Sequence, residues 1–370
     1  MKYNFDKVID RSGTSAEKVE GLKHIWGRTD LIPLWVADMD FATAPFVTDA
    51  IRKRCENEVL GYTGKPDSYY NAIINWVKQR YDLIVTKEVI NFVPGIVPGI
   101  GMAMNCFTQK GDKVMIQPPV YHPFAWVTTR NERTLVINPL KWENGMYRMD
   151  LDAFREQIKG CKLFILCNPH NPGGVVWTEA ELRAIADICY DEKVLVFSDE
   201  IHADLTLPPH THRPFATVSE KARMNSVTFM SPSKAFNMPG LSASHALIFN
   251  EDLRKRFRIY MDAGELDMGH VFAFLSVEAA YSHGTEWLDQ CLAYIQGNID
   301  FVDEFLKKHA PKIKAIRPEA SYLVWLDCRE LELSQKDLNE FFVDKAHLAL
   351  NDGEMFGKEG IGLSLIHISE

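Results

Sequence analysis

Three short polar motifs carry side chains that could act together in catalysis, and each directly follows an apolar run. The motifs are residues 168–174 (NPHNPGG), 198–202 (SDEIH) and 231–234 (SPSK). In an open α/β sheet, the residues just beyond the carboxyl ends of the strands line one crevice. We therefore expect these motifs to converge, although they lie far apart in the sequence.

A fourth element, residues 92–101 (FVPGIVPGIG), runs from an apolar strand into a glycine-rich turn and then into a helical stretch. Backbone N–H groups at such a helix start suit a phosphate group. The spacing differs from a dinucleotide-binding fingerprint, because Gly99 and Gly101 are not followed by a third glycine. Taken alone, the element could also be an ordinary tight turn.

The side chains of these motifs match the needs of pyridoxal 5′-phosphate (PLP). This cofactor needs an amine for a Schiff base, a carboxylate for its pyridine nitrogen, hydrogen bonds to its 3′-oxygen and a phosphate cradle. The residues that can fill these roles are Lys234, Asp199, Asn168, and the Gly95 turn with Ser231. Singly, each has an ordinary explanation, such as a helix cap or a turn former. Their joint occurrence at strand ends favours a PLP enzyme attached through Lys234.

Apolar runs that alternate with amphipathic or loop segments must position these motifs. Predicted strands cover residues 114–116, 162–167, 193–197, 226–230 and 246–249. Thr178 and Glu181 offer a capping box for a helix that reaches Glu192. This alternation predicts an α/β fold with a βα-wound sheet.

The pattern changes after about Thr285, where one apolar stripe marks a helix too long for a simple crossover. A strand at 322–326 and a helix capped by Ser334 follow, which predicts a smaller α/β domain. We place the large domain at residues 49–284 and the C-terminal small domain at 285–370. Residues 1–48 are expected to form an N-terminal segment that is part of the small domain.

The combined motifs resemble those of fold-type I PLP-dependent enzymes of the aminotransferase class I/II superfamily. Within it, the chain is similar to the MalY/PatB-type cystathionine β-lyases, which are C–S lyases. Residues 34–41 (LWVADMDF) and 198–205 (SDEIHADL) carry this resemblance, which extends from about Asn4 to Gly362. It implies a large domain with a mostly parallel central sheet flanked by helices, a smaller α/β domain and a PLP cofactor.

The resemblance implies roles for five residues around the cofactor ring. Lys234 matches the Schiff-base lysine, Asp199 the partner of the pyridinium nitrogen and Asn168 the donor to the 3′-oxygen. Tyr121 matches the stacked aromatic ring, and His202 stands where many aminotransferases have a tyrosine. The expected catalytic residues are therefore Lys234, Asp199 and Tyr121.

Other positions match residues that contact the cofactor phosphate in the family. They are Ser231, Ser233, the backbone of Ile96 and Val97, and Tyr62. Tyr62 matches a tyrosine that reaches the phosphate of the neighbouring subunit. The resemblance therefore implies a homodimer with shared active sites.

The resemblance also implies a small-molecule amino-acid substrate. Residues expected to bind it are Trp35, Asp38, Tyr121 and Asn168. The implied reaction is β-elimination from L-cystathionine or a related L-cysteine S-conjugate, which yields a thiol, pyruvate and ammonia. In it, the freed amine of Lys234 removes the Cα proton.

Two alternative functions stay open. An amino-acid aminotransferase would share the early steps of the reaction, and a regulatory protein could use the same scaffold to bind an unknown protein partner. The lyase is favoured by residues 35–41, by His202, and by Ser242 at a position where many transaminases have an arginine. All three reasons come from the resemblance.

The C-terminal residues depart from the family pattern. Relatives continue after the position of Gly362 with a strand that carries an arginine for the substrate α-carboxylate, and then with a final helix. Here the sequence reads 363–370 (LSLIHISE), and no arginine follows Arg329. We expect from this pattern that the native end is replaced or truncated, with PLP binding intact, weak substrate binding and a less stable small domain.

Composition narrows the possible partners and location. The 370 residues carry a formal charge of −9 without a basic tract, so no nucleic-acid partner is expected. The absence of a long apolar run or an apolar leader predicts a cytoplasmic protein without membrane contact. Seven scattered cysteines predict reduced core thiols. No metal site is expected, because His210 and His212 lie in a proline-rich segment that predicts a polar surface loop.

Overall fold

The computed structural model describes residues 2–368, so Met1 and the last two residues of the C-terminal segment, Ser369 and Glu370, lie outside the described residues. The α-helices are α1 (Glu17–Trp26), α2 (Pro45–Cys55), α3 (Asp67–Tyr81), α4 (Ile96–Phe107), α5 (Pro123–Arg130), α6 (Leu151–Gln157), α7 (Glu179–Asp191), α8 (Glu220–Met224), α9 (Glu251–Ala263), α10 (Val271–His283), α11 (Thr285–His309) and α12 (Gln335–Glu340). The strands are β1 (Ile32–Pro33), β2 (Ile90–Val93), β3 (Lys113–Ile116), β4 (Thr134–Ile137), β5 (Lys141–Glu143), β6 (Met146–Arg148), β7 (Cys161–Cys167), β8 (Leu195–Asp199), β9 (Ser226–Met230), β10 (Ser244–Leu247), β11 (Lys314–Ile316), β12 (Leu323–Asp327), β13 (Leu348–Ala349), β14 (Asn351–Asp352) and β15 (Leu363–His367).

A seven-stranded sheet forms the centre of the fold, in the order β2-β10-β9-β8-β7-β3-β4. Its neighbours pair in parallel except at β10, which runs antiparallel to β2 and β9. The strands β7, β8 and β9 are adjacent, and their register sets Cys167 opposite Asp199 and Asp199 opposite Phe229. The three polar motifs therefore emerge side by side from one edge of the sheet, as predicted.

Local sequence explains why these strands and their crossover helix form. The strand β9 is buried along its whole length, which suits a parallel strand covered by helices on both faces. At the start of α7, the Thr178 backbone N–H donates to the Glu181 carboxylate at 2.8 Å, and the Glu181 N–H donates to Thr178 Oγ1 at 3.2 Å. The predicted capping box is therefore confirmed.

Two predicted strand boundaries were wrong by two residues. The strand β8 begins at Leu195, because Lys193 has a φ of 58° and completes the turn after α7. The strand β10 ends at Leu247, and the side chain of Asn250 then accepts from the N–H groups at the start of α9. Capping contacts outweigh the apolar character of the residues beside them.

The C-terminal part contains a four-stranded sheet in the order β11-β12-β15-β14. Residues 363–367 form β15, which pairs antiparallel with β12. The strand β1 pairs in parallel with β13, so the N-terminal segment joins this part of the fold. The domain bounds at residues 48 and 284 stay predictions. None of the described helices is long and apolar enough to cross a membrane.

Candidate active site

A cavity of about 210 Å³ lies where the three polar motifs meet the start of α4. Its walls are formed by Ala37, Ile96, Val97, Pro98, Tyr121, Cys167, Asn171, Asp199, Ile201, His202, Ser233, Lys234 and Pro239. The predicted amine, carboxylate, aromatic ring and helix start therefore share one enclosed space. Such convergence of perturbed ionisable groups in a cavity is typical of a reaction centre.

Lys234 supplies the amine of this cavity. Its Nζ donates a hydrogen bond to the backbone oxygen of Ala37. Burial lowers the pKa of Lys234 to about 8, although the nearby carboxylates of Asp38 and Asp199 oppose the shift. A substantial fraction of the amine is consequently neutral, and so nucleophilic, near neutral pH.

Asp199 ends β8 and supplies the carboxylate. Its Oδ1 accepts a hydrogen bond of 3.0 Å from the Ile201 N–H. Burial raises the pKa of Asp199 to about 7, and this hydrogen bond and the Lys234 amine act in the opposite direction. A cationic group set against this carboxylate would stabilise its ionised form.

Asn168 is completely buried beside the end of β8. Its backbone N–H donates to the Asp199 carbonyl at 2.9 Å, and its Nδ2 donates to the Arg213 carbonyl at 3.1 Å. Its Oδ1 has no hydrogen-bond partner among the described residues. Because Arg213 occupies one N–H of the amide, the orientation of the other N–H is fixed as well.

Tyr121 and His202 stay uncharged near neutral pH. Burial, with a smaller contribution from Asp199, raises the pKa of Tyr121 to about 12. Burial lowers the pKa of His202 to about 3, and its Nδ1 lacks a partner among the described residues. Both side chains therefore offer neutral hydrogen-bonding groups to the cavity.

The N-terminus of α4 points backbone N–H groups of Ile96 and Val97 at the cavity. Gly99 allows this helix to lie close to the sheet. A Cβ at Gly99 would come within 2.9 Å of Val93 Cγ2 and 3.2 Å of Phe229 Cε1. A side chain here would move the helix start that the sequence associates with a phosphate.

Ser233 lines the cavity, whereas Ser231 supports it from behind. Ser231 Oγ lies 2.8 Å from the Ala243 carbonyl oxygen and 2.9 Å from Ser233 Oγ, and it accepts from the Ser233 N–H at 3.1 Å. These contacts engage the Ser231 hydroxyl within the fold. Of the two serines, only Ser233 faces the cavity.

Besides Asn168 and Ser231, three further predicted site residues do not line this cavity. Trp35 donates from Nε1 to the Lys18 carbonyl at 3.0 Å and lines a separate cavity with Trp26. Asp38 faces an adjoining chamber. Tyr62 is 99% exposed, so within one chain it touches nothing in the cavity.

The structure also places, in or beside the cavity, residues that were not predicted as site residues from the sequence. The Ala37 carbonyl accepts from Lys234 and also from the Tyr322 hydroxyl at 3.0 Å. Cys167 and Asn171 line the cavity beside Tyr121. Ala37 lies inside the LWVADMDF stretch, which was the one available signal, whereas Tyr322 is distant in sequence.

The donor set of the cavity fits PLP. A buried amine and a buried carboxylate share the space with a helix start that offers N–H groups. The Asn168 Oδ1 and His202 Nδ1 atoms are buried without partners among the described residues, so polar atoms remain for a ligand. Residues that could hold PLP are Lys234, Asp199, Asn168, His202, Tyr121, Ile96, Val97 and Ser233.

A metal does not fit the histidine-containing loop. Within residues 2–368, no group of His, Cys, Asp and Glu side chains could hold a metal ion. His212 is buried, which corrects the expectation of a surface loop around it. Its Nε2 lies 2.8 Å from Glu200 Oε2, so a buried carboxylate holds this imidazole in place.

Glu200 connects the end of β8 to the loop of residues 212–215. In addition to His212, its carboxylate accepts from the Ser198 hydroxyl and the Phe215 N–H, each at 2.8 Å. The Arg213 carbonyl, which orients Asn168, lies between His212 and Phe215. Glu200 therefore positions Asn168 without lining the cavity.

We expect Glu200→Gln to weaken cofactor binding by roughly 10- to 100-fold, because a lost charge-assisted hydrogen bond costs on the order of 1.5–3 kcal/mol. Absorbance titration with PLP would measure this change. Glu251→Gln is the matched control, since Glu251 pairs with Lys255 on the surface. An unchanged dissociation constant in a Glu200→Gln protein with unchanged thermal stability would contradict the positioning role.

Comparisons with known proteins agree with this site. The model of the family "aminotransferase class I and II" matches residues 29–362. Cystathionine β-lyase PatB of Bacillus subtilis (strain 168) is 38% identical over 361 residues, which are 97% of this chain and 93% of that protein. Among solved structures, cystalysin of Treponema denticola, which contains PLP, has a TM-score of 0.96 at 33% identity and is matched over 100% of this chain and 95% of its own. The PLP-bound C–S lyase from Staphylococcus hominis has a TM-score of 0.91 at 35% identity and is matched over 100% of this chain and 94% of its own.

Proposed function

The chain belongs to the aminotransferase class I and II family, and we propose that it is a PLP-dependent carbon–sulfur β-lyase. It cleaves L-cystathionine or a related L-cysteine S-conjugate to a thiol, pyruvate and ammonia. The observation that carries this proposal is the buried pair of Lys234 and Asp199 in one cavity. Relatives named for cystathionine or C–S cleavage, matched over nearly the whole chain, support the choice of reaction.

When bound, PLP supplies a carbonyl carbon for the substrate amine and a conjugated ring that takes up electrons from Cα. Asp199 would pair with the ring nitrogen, and Asn168 and His202 would supply the hydrogen-bonding groups for the 3′-oxygen. Tyr121 would pack on the ring face. The N–H groups of Ile96 and Val97 and the hydroxyl of Ser233 would bind the phosphate.

Lys234 moves the proton in the elimination step. Its pKa of about 8 lets the amine accept the Cα proton of the substrate near neutral pH. The Ala37 carbonyl accepts a hydrogen bond from this amine and so fixes its position. Tyr121, with a pKa of about 12, keeps its proton and acts as a hydrogen-bond donor. The leaving sulfur departs from Cβ as the thiolate.

The decisive experiment is to incubate the PLP-loaded protein with L-cystathionine and no keto acid. A lyase releases pyruvate catalytically under these conditions. An aminotransferase, the alternative within the same family, forms product beyond one equivalent of enzyme only when a keto acid is added. Turnover that depends on added keto acid would contradict the lyase proposal.

We further propose that the enzyme is a homodimer with shared sites. The support is the exposure of Tyr62 together with the apolar side chains of Val59 and Leu60. A contiguous exposed apolar segment of this kind is suited to a protein interface. In the dimer, Tyr62 reaches the phosphate of the neighbouring subunit.

The proposal also includes a cytoplasmic location. This location suits the cysteines, since within residues 2–368 all of them are free thiols.

Mixing Tyr62→Ala chains with Lys234→Ala chains should restore activity. Half of randomly mixed dimers are hybrids, and each hybrid has one site with both wild-type residues, so recovery should approach about one quarter of wild-type activity. Activity assays after confirmed subunit exchange would measure it. A mixture of Lys234→Ala chains with Asp199→Asn chains is the control, because both residues line the cavity of the same chain and no hybrid site is then intact. If the Tyr62→Ala mixture gains nothing over its parents, Tyr62 does not complete the partner's site.

A further inference from the structure

A second chamber of about 600 Å³ adjoins the cofactor cavity. The two spaces share Pro239 as a wall residue. Ala37 lines the cofactor cavity, and the next residue, Asp38, lines the second chamber. Pro239 and the Ala37–Asp38 peptide therefore lie between the two spaces.

Charged side chains of both signs form one wall of this chamber. The guanidinium of Arg11 binds both oxygens of Asp38, at 2.7 and 3.0 Å, and lies 3.4 Å from Asp40 Oδ1. The buried amine of Lys18 contacts the carboxylate of Asp40. Glu17 adds a further carboxylate to the lining. Arg11 and Asp38 are only partly buried, so a ligand in the chamber can reach them.

The charged wall begins close to the reacting amine. The Asp38 carboxylate is near enough to oppose the lowering of the pKa of Lys234. Lys234 Nζ also donates to the carbonyl of the residue before Asp38. A group attached to the substrate Cβ lies a few bonds from Cα, where Lys234 acts, so it is within reach of this wall.

We propose that the second chamber is the subsite for the S-substituent of the substrate, and that Arg11 selects substituents that end in a free amino acid. The carboxylate of such a substituent binds the guanidinium fork of Arg11, partly replacing Asp38. Its ammonium group then lies against the carboxylates of Asp38 and Asp40. This inference rests on the proposed lyase function and specifies its substrate class as zwitterionic conjugates such as cystathionine.

Charge matching favours this ligand over an apolar substituent. A zwitterion offers Arg11 a carboxylate and offers Asp38 a cation, so each partner of the existing ion pair keeps an opposite charge. An S-methyl group leaves the Arg11–Asp38 pair intact and gains no contact from it. Discrimination between the two kinds of substrate should therefore depend on Arg11.

The test compares kcat/KM for L-cystathionine and S-methyl-L-cysteine in wild type, Arg11→Gln and Arg11→Lys. We expect Arg11→Gln to lower the ratio of the value for cystathionine to the value for S-methyl-L-cysteine by roughly 10- to 100-fold, as for loss of a charge-assisted contact. Arg11→Lys should recover part of the loss, since lysine keeps the charge but lacks the fork. Arg52→Gln is the matched control, because Arg52 pairs with Asp49 on the surface.

Equal losses for both substrates, or no loss for either, would overturn the subsite. Calorimetric binding of the same two compounds to the PLP-loaded proteins gives a second measure that does not need turnover. If no cysteine conjugate yields pyruvate, the lyase proposal fails, while selective loss of cystathionine binding in Arg11→Gln would still support the subsite. Binding of cystathionine that is unaffected by Arg11→Gln would refute it.

Discussion

Lys234→Ala is expected to abolish the visible absorption band of the PLP-loaded protein and to lower kcat by roughly 1,000-fold or more. Among the described residues, Lys234 is the lysine that lines the cofactor cavity. Its loss would remove both the proposed attachment point and the proposed base for Cα. Spectra after dialysis and single-turnover kinetics would measure the two effects separately.

The pKa of Lys234 adds a pH dependence to this prediction. The neutral amine is the reactive form, so in wild type the rate at which the band develops after PLP is added should rise with pH. The rise should level off above about pH 8, well below the range of an ordinary lysine.

Lys159→Ala is the control for the loss of a lysine, because Lys159 is an exposed lysine that pairs with Glu156. It should keep both the band and the activity. A borohydride-reducible bond between PLP and another lysine in Lys234→Ala would show that the central assignment is wrong.

Asp199→Asn is expected to lower kcat by roughly 100- to 1,000-fold while the PLP dissociation constant changes less than about 10-fold. Asparagine keeps an oxygen that can accept from the Ile201 N–H, so the end of β8 should keep its geometry. It cannot become an anion beside the ring nitrogen, and the electron-accepting capacity of the site falls with that charge. The proposed phosphate contacts from the start of α4 would be untouched.

Paired measurements of kcat and of PLP affinity would separate these two effects. Asp191→Asn is a suitable control, because Asp191 is an exposed residue at the end of α7 that pairs with Lys221 of α8. Turnover equal to wild type in Asp199→Asn would exclude Asp199 from the mechanism.

The sequence was enough to predict that the polar side chains beyond the strand ends converge. Asn168, Asp199 and Lys234 follow apolar runs, and the parallel order of β7, β8 and β9 brings them to one edge. A glycine-rich turn that leads into a helix is also visible in a sequence, although Ile96 and Val97 themselves were named from the family resemblance. These features depend on local pattern and on the general rules of α/β sheets.

Contacts made by backbone groups could not be predicted from the sequence. The carbonyl of Ala37 accepts a hydrogen bond from Lys234, yet any residue has a carbonyl, so this contact leaves no signature in residue type. Glu200 was quoted inside a motif, but its bonds to His212 and Phe215 depend on how a loop folds back. The sequence also drew attention to the motif that contains Trp35 and Asp38. It could not show that these two side chains line separate cavities, because that depends on how distant segments pack.

The hydrogen bonds to Ala37 also bear on how the chain unfolds. Its carbonyl accepts from Lys234, which follows β9 of the central sheet, and from Tyr322, which precedes β12 of the C-terminal sheet. Separation of either sheet from the N-terminal segment breaks a bond at the same oxygen and leaves a buried polar group unpaired. Both sheets are thus joined to the N-terminal segment through one backbone oxygen, so movement of that segment away from the cavity breaks both contacts at once.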